Sequence, residues 1–413
     1  MLFQSKNFLY FCSVKYLVSI LFFTVFCSSI FGQQIRIGVY RDYDIQRIVF
    51  AHDGFNYSIY TDSTYLGEIV DEGYVEIVQT ANKKLELFIG VISQGIFDKI
   101  SLIENQENAS IELTPTIPSE KTRKYQDDFE IIPGLKGLTI INMVNLNNYL
   151  AGVVESEGGT GKELEYYKVQ ALMSRTYALK YLSKHVKEGF NLCDRVHCQA
   201  YHYKLRFTPD IEKAVRSTEN VVMQDEHGNL VDAYFHANCG GQTSEADYIW
   251  NNSIHYLNTF KDTFCIYTKQ ATWEKRVPKH LWAEFLVKRY NYPINDSVLG
   301  PLLYNFTQTE RLAFYHNPIL GIPLRDIRQE FKLKSTYFSN YLDGNDVLIR
   351  GRGYGHGVGL CQEGAMHMAK YKYNYVQIAI YYFPGVQIRN LAEDAFYRQR
   401  GNLFLCKPYR VGE

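Results

Sequence analysis

Period-two alternation of apolar and polar residues dominates the first third of the chain. The alternating segments are Gln34–Tyr40, Asn56–Tyr60, Tyr74–Val78, Lys84–Ile89 and Ala109–Leu113. Successive side chains of a strand point to opposite faces, so this pattern predicts strands with one buried and one solvated face. Glycine, asparagine and aspartate between the segments supply turns. We therefore expect an antiparallel, β-rich unit over residues 33–125.

A mixed pattern follows the polar stretch Pro118–Asp128. Gly137–Val144 alternates again and predicts a strand, whereas residues 164–182 carry apolar side chains at spacings of three or four, which predicts a helix. Thr160 and Glu163 have the spacing of a capping box, so we expect the helix to begin there.

The whole chain is predicted to be an α+β protein. A β-rich accessory domain over residues 33–125 would precede a mixed helix and strand domain over residues 126–395, followed by a tail over residues 396–413. The composition, 46% hydrophobic and 21% charged in 413 residues, is that of a globular protein. Its 44 basic residues only equal its 44 acidic ones and form no basic stripe, so nucleic acid is not an expected partner.

Residues 1–32 have the pattern of an export signal. Lys6 and Lys15 precede a strongly apolar segment at residues 17–26, and small residues follow up to Gly32. The uncharged stretch is also long enough to span a bilayer, so an uncleaved membrane anchor is the alternative. Under either interpretation, we expect the bulk of the chain to be exported to the periplasm, the envelope or the medium.

Export affects how the cysteines are interpreted. Those outside the leader are Cys193, Cys198, Cys239, Cys265, Cys361 and Cys406. Cys193 and Cys198 lie near His185, His197 and His202, and this set could bind a structural zinc ion. A disulfide between the same two thiols explains them equally well in an oxidising compartment. Spacing alone decides neither this question nor the remaining pairings.

An acidic pair ends the apolar run Tyr149–Glu157. The run is strand-like, so we expect Glu157 where a strand becomes a helix, near the positive end of the helix dipole. Gly158 and Gly159 would leave space for a substrate. The alternative is that Glu155 and Glu157 are merely solvated turn residues.

Glycine occupies every other position from Gly351 to Gly359. In an extended chain these glycines would share one face and form a flat surface against which a polymer could pack. His356 within the run could titrate, bind a metal or orient a hydrogen bond. Upstream, His236 and Cys239 admit a Cys/His nucleophile, although a structural role for Cys239 is an alternative.

Taken together, these segments resemble the stage II sporulation protein D and amidase-enhancer family (SpoIID/LytB domain) of bacterial cell walls. The resemblance rests mainly on the motifs Tyr149–Glu157, Lys168–Tyr177, His197–Tyr201, His236–Thr243 and Gly355–Ala365. It implies peptidoglycan as the substrate, particularly glycan strands whose stem peptides have been removed. The implied reaction is lytic transglycosylation by a lytic murein transglycosylase.

The family's catalytic acid corresponds to Glu157. One carboxyl group suffices, because it protonates the glycosidic oxygen and then accepts the proton of the sugar's C6 hydroxyl, which closes an anhydro ring. The acid must stay protonated near neutral pH, so we expect desolvation by walls such as Val153 and Val154. The family commonly has Met where this chain has Gly158, so a looser wall and a smaller pKa shift are expected.

The resemblance also names candidates for substrate binding. They are Arg175, Tyr177, Gln199, His236, Thr243, His356 and Gln362. No cofactor is required, but some family members carry zinc near the segment of Cys193 and Cys198. The expected partners are glycan strands and, in the competing interpretation of a non-catalytic enhancer, an N-acetylmuramoyl-L-alanine amidase. An adhesive surface protein whose glycine-rich edge pairs with another chain is a third possibility.

Overall fold

The computed structural model describes residues 33–206 and 208–393. The predicted leader (residues 1–32), the predicted tail (residues 396–413) and Cys406 lie outside the described residues. Within the described ranges, no helix combines the length and the apolar composition needed to cross a bilayer.

Strands occur throughout the described residues and are most frequent before residue 146. They are β1 (Gln34–Val39), β2 (Arg47–His52), β3 (Tyr57–Thr61), β4 (Thr64–Ile69), β5 (Tyr74–Gln79), β6 (Leu85–Ile89), β7 (Ile92–Phe97), β8 (Ile100–Glu104), β9 (Ser110–Ile117), β10 (Arg123–Gln126), β11 (Asp128–Pro133), β12 (Leu138–Asn145), β13 (Leu192–Cys193), β14 (Val221–Gln224), β15 (Phe235–His236), β16 (Thr272–Pro278), β17 (Phe338–Asp343), β18 (Asp346–Arg352), β19 (Leu360–Cys361) and β20 (Gln387–Asn390).

Within the described residues, helices begin only after β12. They are α1 (Leu146–Gly158), α2 (Leu164–Lys180), α3 (Pro209–Ser217), α4 (Asp247–Trp250), α5 (Lys279–Tyr290), α6 (Leu299–Leu302), α7 (Leu324–Glu330), α8 (Gln362–Lys370) and α9 (Tyr375–Tyr382), with short 3-10 turns at Val186–Glu188 and Pro318–Leu320. The α+β class and the β-rich start of the chain are confirmed.

Two sheets face each other in the β-rich part. One has the strand order β13-β1-β12-β11-β8-β3-β4 and the other β10-β9-β2-β5-β6-β7. Phe50 of the second sheet and Phe129 of the first pack edge to face, with ring centroids 5.6 Å apart. Strand β11 pairs with β8, and β12 pairs with β1, so the sheet continues across the boundary predicted between residues 125 and 126.

Helices α1 and α2 pack on each other and on α3 beside this sandwich. The predicted strand Tyr149–Glu157 is wrong, because these residues form most of α1. Both faces of α1 are buried, and a short helix that is apolar all round has the same composition as a buried strand. The capping box is also wrong: α2 begins at Leu164, and Glu163 caps it without a side-chain hydrogen bond.

The glycine-rich run is not an extended surface. Beyond β18, the alternate glycines from Gly353 to Gly359 all have positive φ values, between 71° and 111°. A Cβ atom at Gly355 would lie 2.8 Å from the Cβ atom of His236, and one at Gly357 would lie 2.8 Å from the guanidinium of Arg311. The glycines from Gly353 to Gly359 therefore pack against neighbouring segments instead of sharing one open face, and the prediction of a flat glycine face is wrong.

A second hydrophobic core lies in residues 273–349. It is covered by the antiparallel sheet β16-β18-β17 and by α5, with fully buried Trp282 at its centre. The Trp282 ring stacks on Phe331 at 4.9 Å. This separate core was not predicted from the sequence.

Candidate active site

Glu157 lies in the last turn of α1. Its Oε1 atom accepts a hydrogen bond of 2.7 Å from the backbone amide of Ala200. Glu155 is buried two positions earlier, where its Oε2 atom accepts a bond of 2.7 Å from the amide of Arg206. Side chains two residues apart on a helix point about 200° apart, so the two carboxylates accept hydrogen bonds from different residues of the segment between β13 and α3.

Burial raises the pKa of Glu157 above its ordinary value of 4.5, and the hydrogen bond from Ala200 opposes this shift. The negative end of the α1 dipole further disfavours the carboxylate, so the predicted location at a positive helix end is wrong. The raised pKa agrees with the expectation of a desolvated acid, and Val153 and Val154 of the same helix are fully buried.

The glycine after the acid does not leave an open wall. Gly158 is buried, and a Cβ atom there would lie 3.1 Å from the ring of Tyr166. Tyr166 is itself fully buried on α2. Its ring occupies the side of Glu157 that a larger residue at position 158 would cover.

Three glutamines are linked to Glu157, one directly and two through a neighbouring residue. Gln362, at the start of α8, donates from Nε2 to the Glu157 carbonyl at 3.3 Å and to Gln170 Oε1 at 3.4 Å. Gln199 precedes Ala200 and accepts 3.1 Å from the Tyr149 hydroxyl. The Nε2 atoms of Gln170 and Gln199 are buried and have no hydrogen-bond partner within the described residues. Both side chains are 1% exposed or less, so a glycan does not reach these donors unless the residues that cover them move.

His236 and His356 meet each other, with ring centroids 5.5 Å apart. The His356 ring also packs against Trp250 at 5.2 Å, and Trp250 is 43% exposed. Burial lowers the pKa of His356 to about 4 and, together with the neighbouring His356, that of His236 well below its ordinary value. Both imidazoles are therefore neutral near pH 7.

Two of the predicted substrate-binding residues have structural partners instead. Arg175 is buried and donates to the carbonyls of Thr218 at 2.6 Å and Val215 at 3.0 Å, at the C-terminal end of α3. Thr243 is buried and accepts 2.9 Å from the Phe260 amide. Neither side chain faces a surface that a glycan could reach.

Tyr177 lies beside the cluster formed by His185, Cys193, His197 and Cys198. Its hydroxyl donates to the His197 carbonyl at 3.4 Å. The ligand atoms of the cluster all lie within 4.8 Å of one another. His185 Nε2 is 3.5 Å from Cys198 Sγ, and His197 Nδ1 is 3.8 Å from both sulfurs.

This donor set fits zinc. Two thiols and two imidazoles form a frequent tetrahedral set, whose donor atoms would be about 3.5 Å apart at ordinary zinc bond lengths. The other nitrogen of His185 is hydrogen-bonded to Glu188 at 2.5 Å, as is usual for metal-binding imidazoles. Cys193 and Cys198 are free thiols here, and a disulfide would leave the convergence of two imidazoles unexplained.

Several residues of the candidate site were not predicted from the sequence. Tyr166, Gln170 and Trp250 lie in or beside the site, and the Ala200 contact uses a backbone amide. Gln170 lies inside the motif Lys168–Tyr177, so motif membership was the available signal. Every residue except proline has a backbone amide, so the identity of Ala200 gave no sign that its amide would contact Glu157.

Comparison with known proteins finds a family similar to part of this chain. The family model SpoIID, stage II sporulation protein, matches residues 135–224, which include Glu157 and the His197–Tyr201 segment. This match, together with relatives that carry the names of the family, supports the SpoIID family as the one this chain resembles. The motifs His236–Thr243 and Gly355–Ala365 lie outside the matched range.

Three relatives extend the similarity. The chain is 26% identical over 339 residues to an uncharacterized protein of Brachyspira hyodysenteriae, covering 78% of this chain and 85% of that protein. It is 27% identical over 279 residues to the stage II sporulation protein D of Bacillus subtilis, covering 62% and 77%. It is 23% identical over 289 residues to the amidase enhancer of Bacillus subtilis, covering 58% of this chain but 40% of that protein.

Proposed function

We propose that this chain is an exported, cell-wall-active protein that cleaves peptidoglycan glycan strands as a lytic transglycosylase. Denuded strands are its preferred substrate, and Glu157 is its general acid and base. The observation that carries the proposal is the environment of Glu157, a half-buried carboxyl group whose pKa is raised by burial and whose orientation is fixed by the Ala200 amide.

In the first step, protonated Glu157 donates its proton to the glycosidic oxygen as the bond to the anomeric carbon breaks. The leaving strand departs with a new hydroxyl group, and an oxocarbenium-like sugar remains. A raised pKa supports this step, because an ordinary glutamic acid is ionised near pH 7.

In the second step, the Glu157 carboxylate accepts the proton of the C6 hydroxyl of the same sugar. The C6 oxygen then bonds to the anomeric carbon and closes a 1,6-anhydro ring, which restores the protonated acid. Since the nucleophile is internal, neither water nor a second carboxylate is needed. The engagement of Glu155 with Arg206, away from the acid, is consistent with a one-carboxylate mechanism.

Polar contacts to the sugars are assigned to Gln170, Gln199 and Gln362. The Gln362 amide contacts the Glu157 carbonyl, and Gln170 and Gln199 have buried, unpartnered Nε2 donors that a glycan hydroxyl or acetamido oxygen would satisfy if the residues covering them move on binding. The contacting pair of half-exposed His356 and exposed Trp250 offers ring faces on which a pyranose could stack.

A structural zinc ion is proposed at His185, Cys193, His197 and Cys198. With four protein ligands the coordination sphere is complete, so its contribution is to hold a segment rather than to activate water. The held segment continues to Ala200, whose amide orients Glu157. The zinc ligands would thus fix the donor that positions the acid.

The similarity to a protein named amidase enhancer favours a second candidate, a non-catalytic wall-binding protein that stimulates an N-acetylmuramoyl-L-alanine amidase. The two candidates differ in what Glu157 does. An enhancer needs the surface of the protein but not the proton of this carboxyl group.

The test compares Glu157→Gln with Glu155→Gln, using the full chain on denuded glycan strands and on intact peptidoglycan. The lytic transglycosylase predicts anhydro-ended products with the unchanged protein and with Glu155→Gln, and none with Glu157→Gln. Wall binding without products from any of the three proteins would reject the enzyme. Amidase stimulation that survives Glu157→Gln would then support the enhancer.

A further inference from the structure

Three cysteines and an aspartate meet in the interior, away from the His185 cluster. They are Cys239, Asp262, Cys265 and Cys361, and their ligand atoms lie within 4.8 Å of one another. Cys239 Sγ is 3.3 Å from both Cys265 Sγ and Asp262 Oδ2. Donor atoms around a tetrahedral zinc ion lie about 3.8 Å apart, given zinc–sulfur bonds of about 2.3 Å, so the four atoms need only small shifts.

All four side chains are fully buried. A disulfide could join only two of the three sulfurs, leaving a thiol and an aspartate in the same buried space. A buried carboxylate is costly unless it is paired or coordinates a metal. One bound cation would satisfy all four groups at once.

The surroundings are arranged for negatively charged sulfur. The backbone amides of Cys239 and Gly364 point at Cys361 Sγ at 3.3 Å and 3.4 Å. Tyr382 donates from its hydroxyl to Asp262 Oδ2 at 2.9 Å, as residues behind a metal ligand commonly do. At Gly364, a Cβ atom would lie 2.8 Å from Asp262 Oδ2, so glycine leaves the cluster its space.

A buried cation lies next to the cluster. The guanidinium of Arg311 donates to the Cys239 carbonyl at 2.7 Å, and the side chain is 4% exposed. Within the described part of the chain, the guanidinium donates only to uncharged acceptors, the carbonyls of Gln242 and Cys239 and the Thr336 hydroxyl. A zinc ion with three thiolates and one carboxylate carries a net negative charge, which supplies the counter-charge that buried Arg311 otherwise lacks.

We propose that Cys239, Asp262, Cys265 and Cys361 bind one Zn²⁺ ion in a closed structural site. Thiolate ligands select zinc among the common divalent ions, since magnesium and calcium prefer oxygen. On binding, the thiols that coordinate lose their protons to solvent, and no electron is transferred. This second site is separate from the zinc proposed at His185 and does not depend on the enzymatic proposal.

The site would tie together three distant segments of the chain. Cys239 follows β15, Asp262 and Cys265 lie in the loop before β16, and Cys361 is the N-cap of α8. The residue after Cys361 is Gln362, which contacts Glu157. The metal would therefore hold the start of α8, the part of this helix that contacts Glu157.

The experiment measures zinc bound per chain in the purified full chain, after loading with Zn²⁺ and extensive dialysis. We expect two ions per chain in the unchanged protein, one in Cys265→Ser and one in Cys198→Ser, the matched variant for the other cluster. Two ions in Cys265→Ser, or one in the unchanged protein that only Cys198→Ser removes, would overturn the proposal.

Substitution of a buried ligand can unfold the chain, so a second measurement uses the unchanged protein. X-ray absorption at the zinc edge reports the average number of sulfur ligands per ion. One Cys2His2 site gives two, whereas the two clusters together give a higher average because the second contributes three sulfurs. An average of two, or a Cys239–Cys265 disulfide found by mass spectrometry of the alkylated protein, would also overturn the proposal.

Discussion

The backbone amide of Ala200 donates a hydrogen bond of 2.7 Å to the side chain of Glu157. This contact joins the end of α1 to the segment that carries Cys193, His197 and Cys198. It orients the carboxyl group while leaving its second oxygen without a bond from that amide. The proposed catalysis and the first proposed zinc site thus meet at one peptide unit.

Activity should fall as pH rises through the raised pKa of Glu157. The first step needs the protonated acid, and burial moves the loss of that proton above the ordinary value of 4.5. We expect the alkaline limb of kcat/KM to have its midpoint above 4.5. A limb at or below that value would contradict the proposed environment of the acid.

Glu157→Gln should stabilise the folded protein near neutral pH. The folded-state pKa of Glu157 is raised, so its favourable contribution is present below the unfolded-state value and is lost as pH rises through the folded value. At higher pH the ionised side chain destabilises the fold by about 1.4 kcal/mol per unit of pKa shift. The neutral amide removes this cost.

The measurement for that variant is the thermal midpoint at several pH values. We expect the advantage of Glu157→Gln over the unchanged chain near neutral pH to disappear below pH 4.5. Glu155→Gln serves as the control, because Glu155 bonds the Arg206 amide instead. A lower midpoint for Glu157→Gln at neutral pH would argue that the carboxylate is a structural partner.

Glu188→Gln should weaken zinc binding at the His185 cluster by about 10- to 100-fold, because it removes the carboxylate that orients the His185 ring. Competition with a chromophoric chelator measures the change. Glu212→Gln is a matched control, since Glu212 is an exposed glutamate paired only with Arg216 in the described contacts. Equal zinc affinities for the two variants would exclude Glu188 as an orienting partner.

Arg175→Met should lower the free energy of unfolding by at least about 2 kcal/mol, because buried carbonyls at the end of α3 lose their donor. Chemical denaturation measures this loss. The KM of the remaining folded protein for glycan should stay unchanged. A raised KM with unchanged stability would instead restore Arg175 as a glycan contact.

The sequence predicted the β-rich region well, because half-buried strands alternate in a way that few other structures do. It failed at α1, where burial on both faces removes the periodicity that distinguishes a helix from a strand. The prediction of a flat face for the glycine run was wrong for a related reason. Glycine is compatible with an extended face and with positive φ angles, and only the packing of His236 and Arg311 against it reveals which applies.

At the site, motif resemblance identified Glu157, Gln199 and Gln362 as candidates, and the structure brings them together. The resemblance could not distinguish these residues from Arg175. The motif Lys168–Tyr177 contains this buried structural arginine as well as Gln170, which lies in the site. The Cys239 cluster also could not be predicted from the sequence. Its ligands are up to 122 positions apart, so no local spacing indicates that they meet.

The most direct test of the central claim is cleavage of denuded glycan strands in water enriched in oxygen-18, followed by mass spectrometry of the new ends. Ring closure by the C6 hydroxyl consumes no water, so the account predicts anhydro ends that carry no heavy oxygen and disappear with Glu157→Gln. Reducing ends that contain oxygen-18 would contradict it, because they would show that water, not the sugar's own hydroxyl, attacks the anomeric carbon.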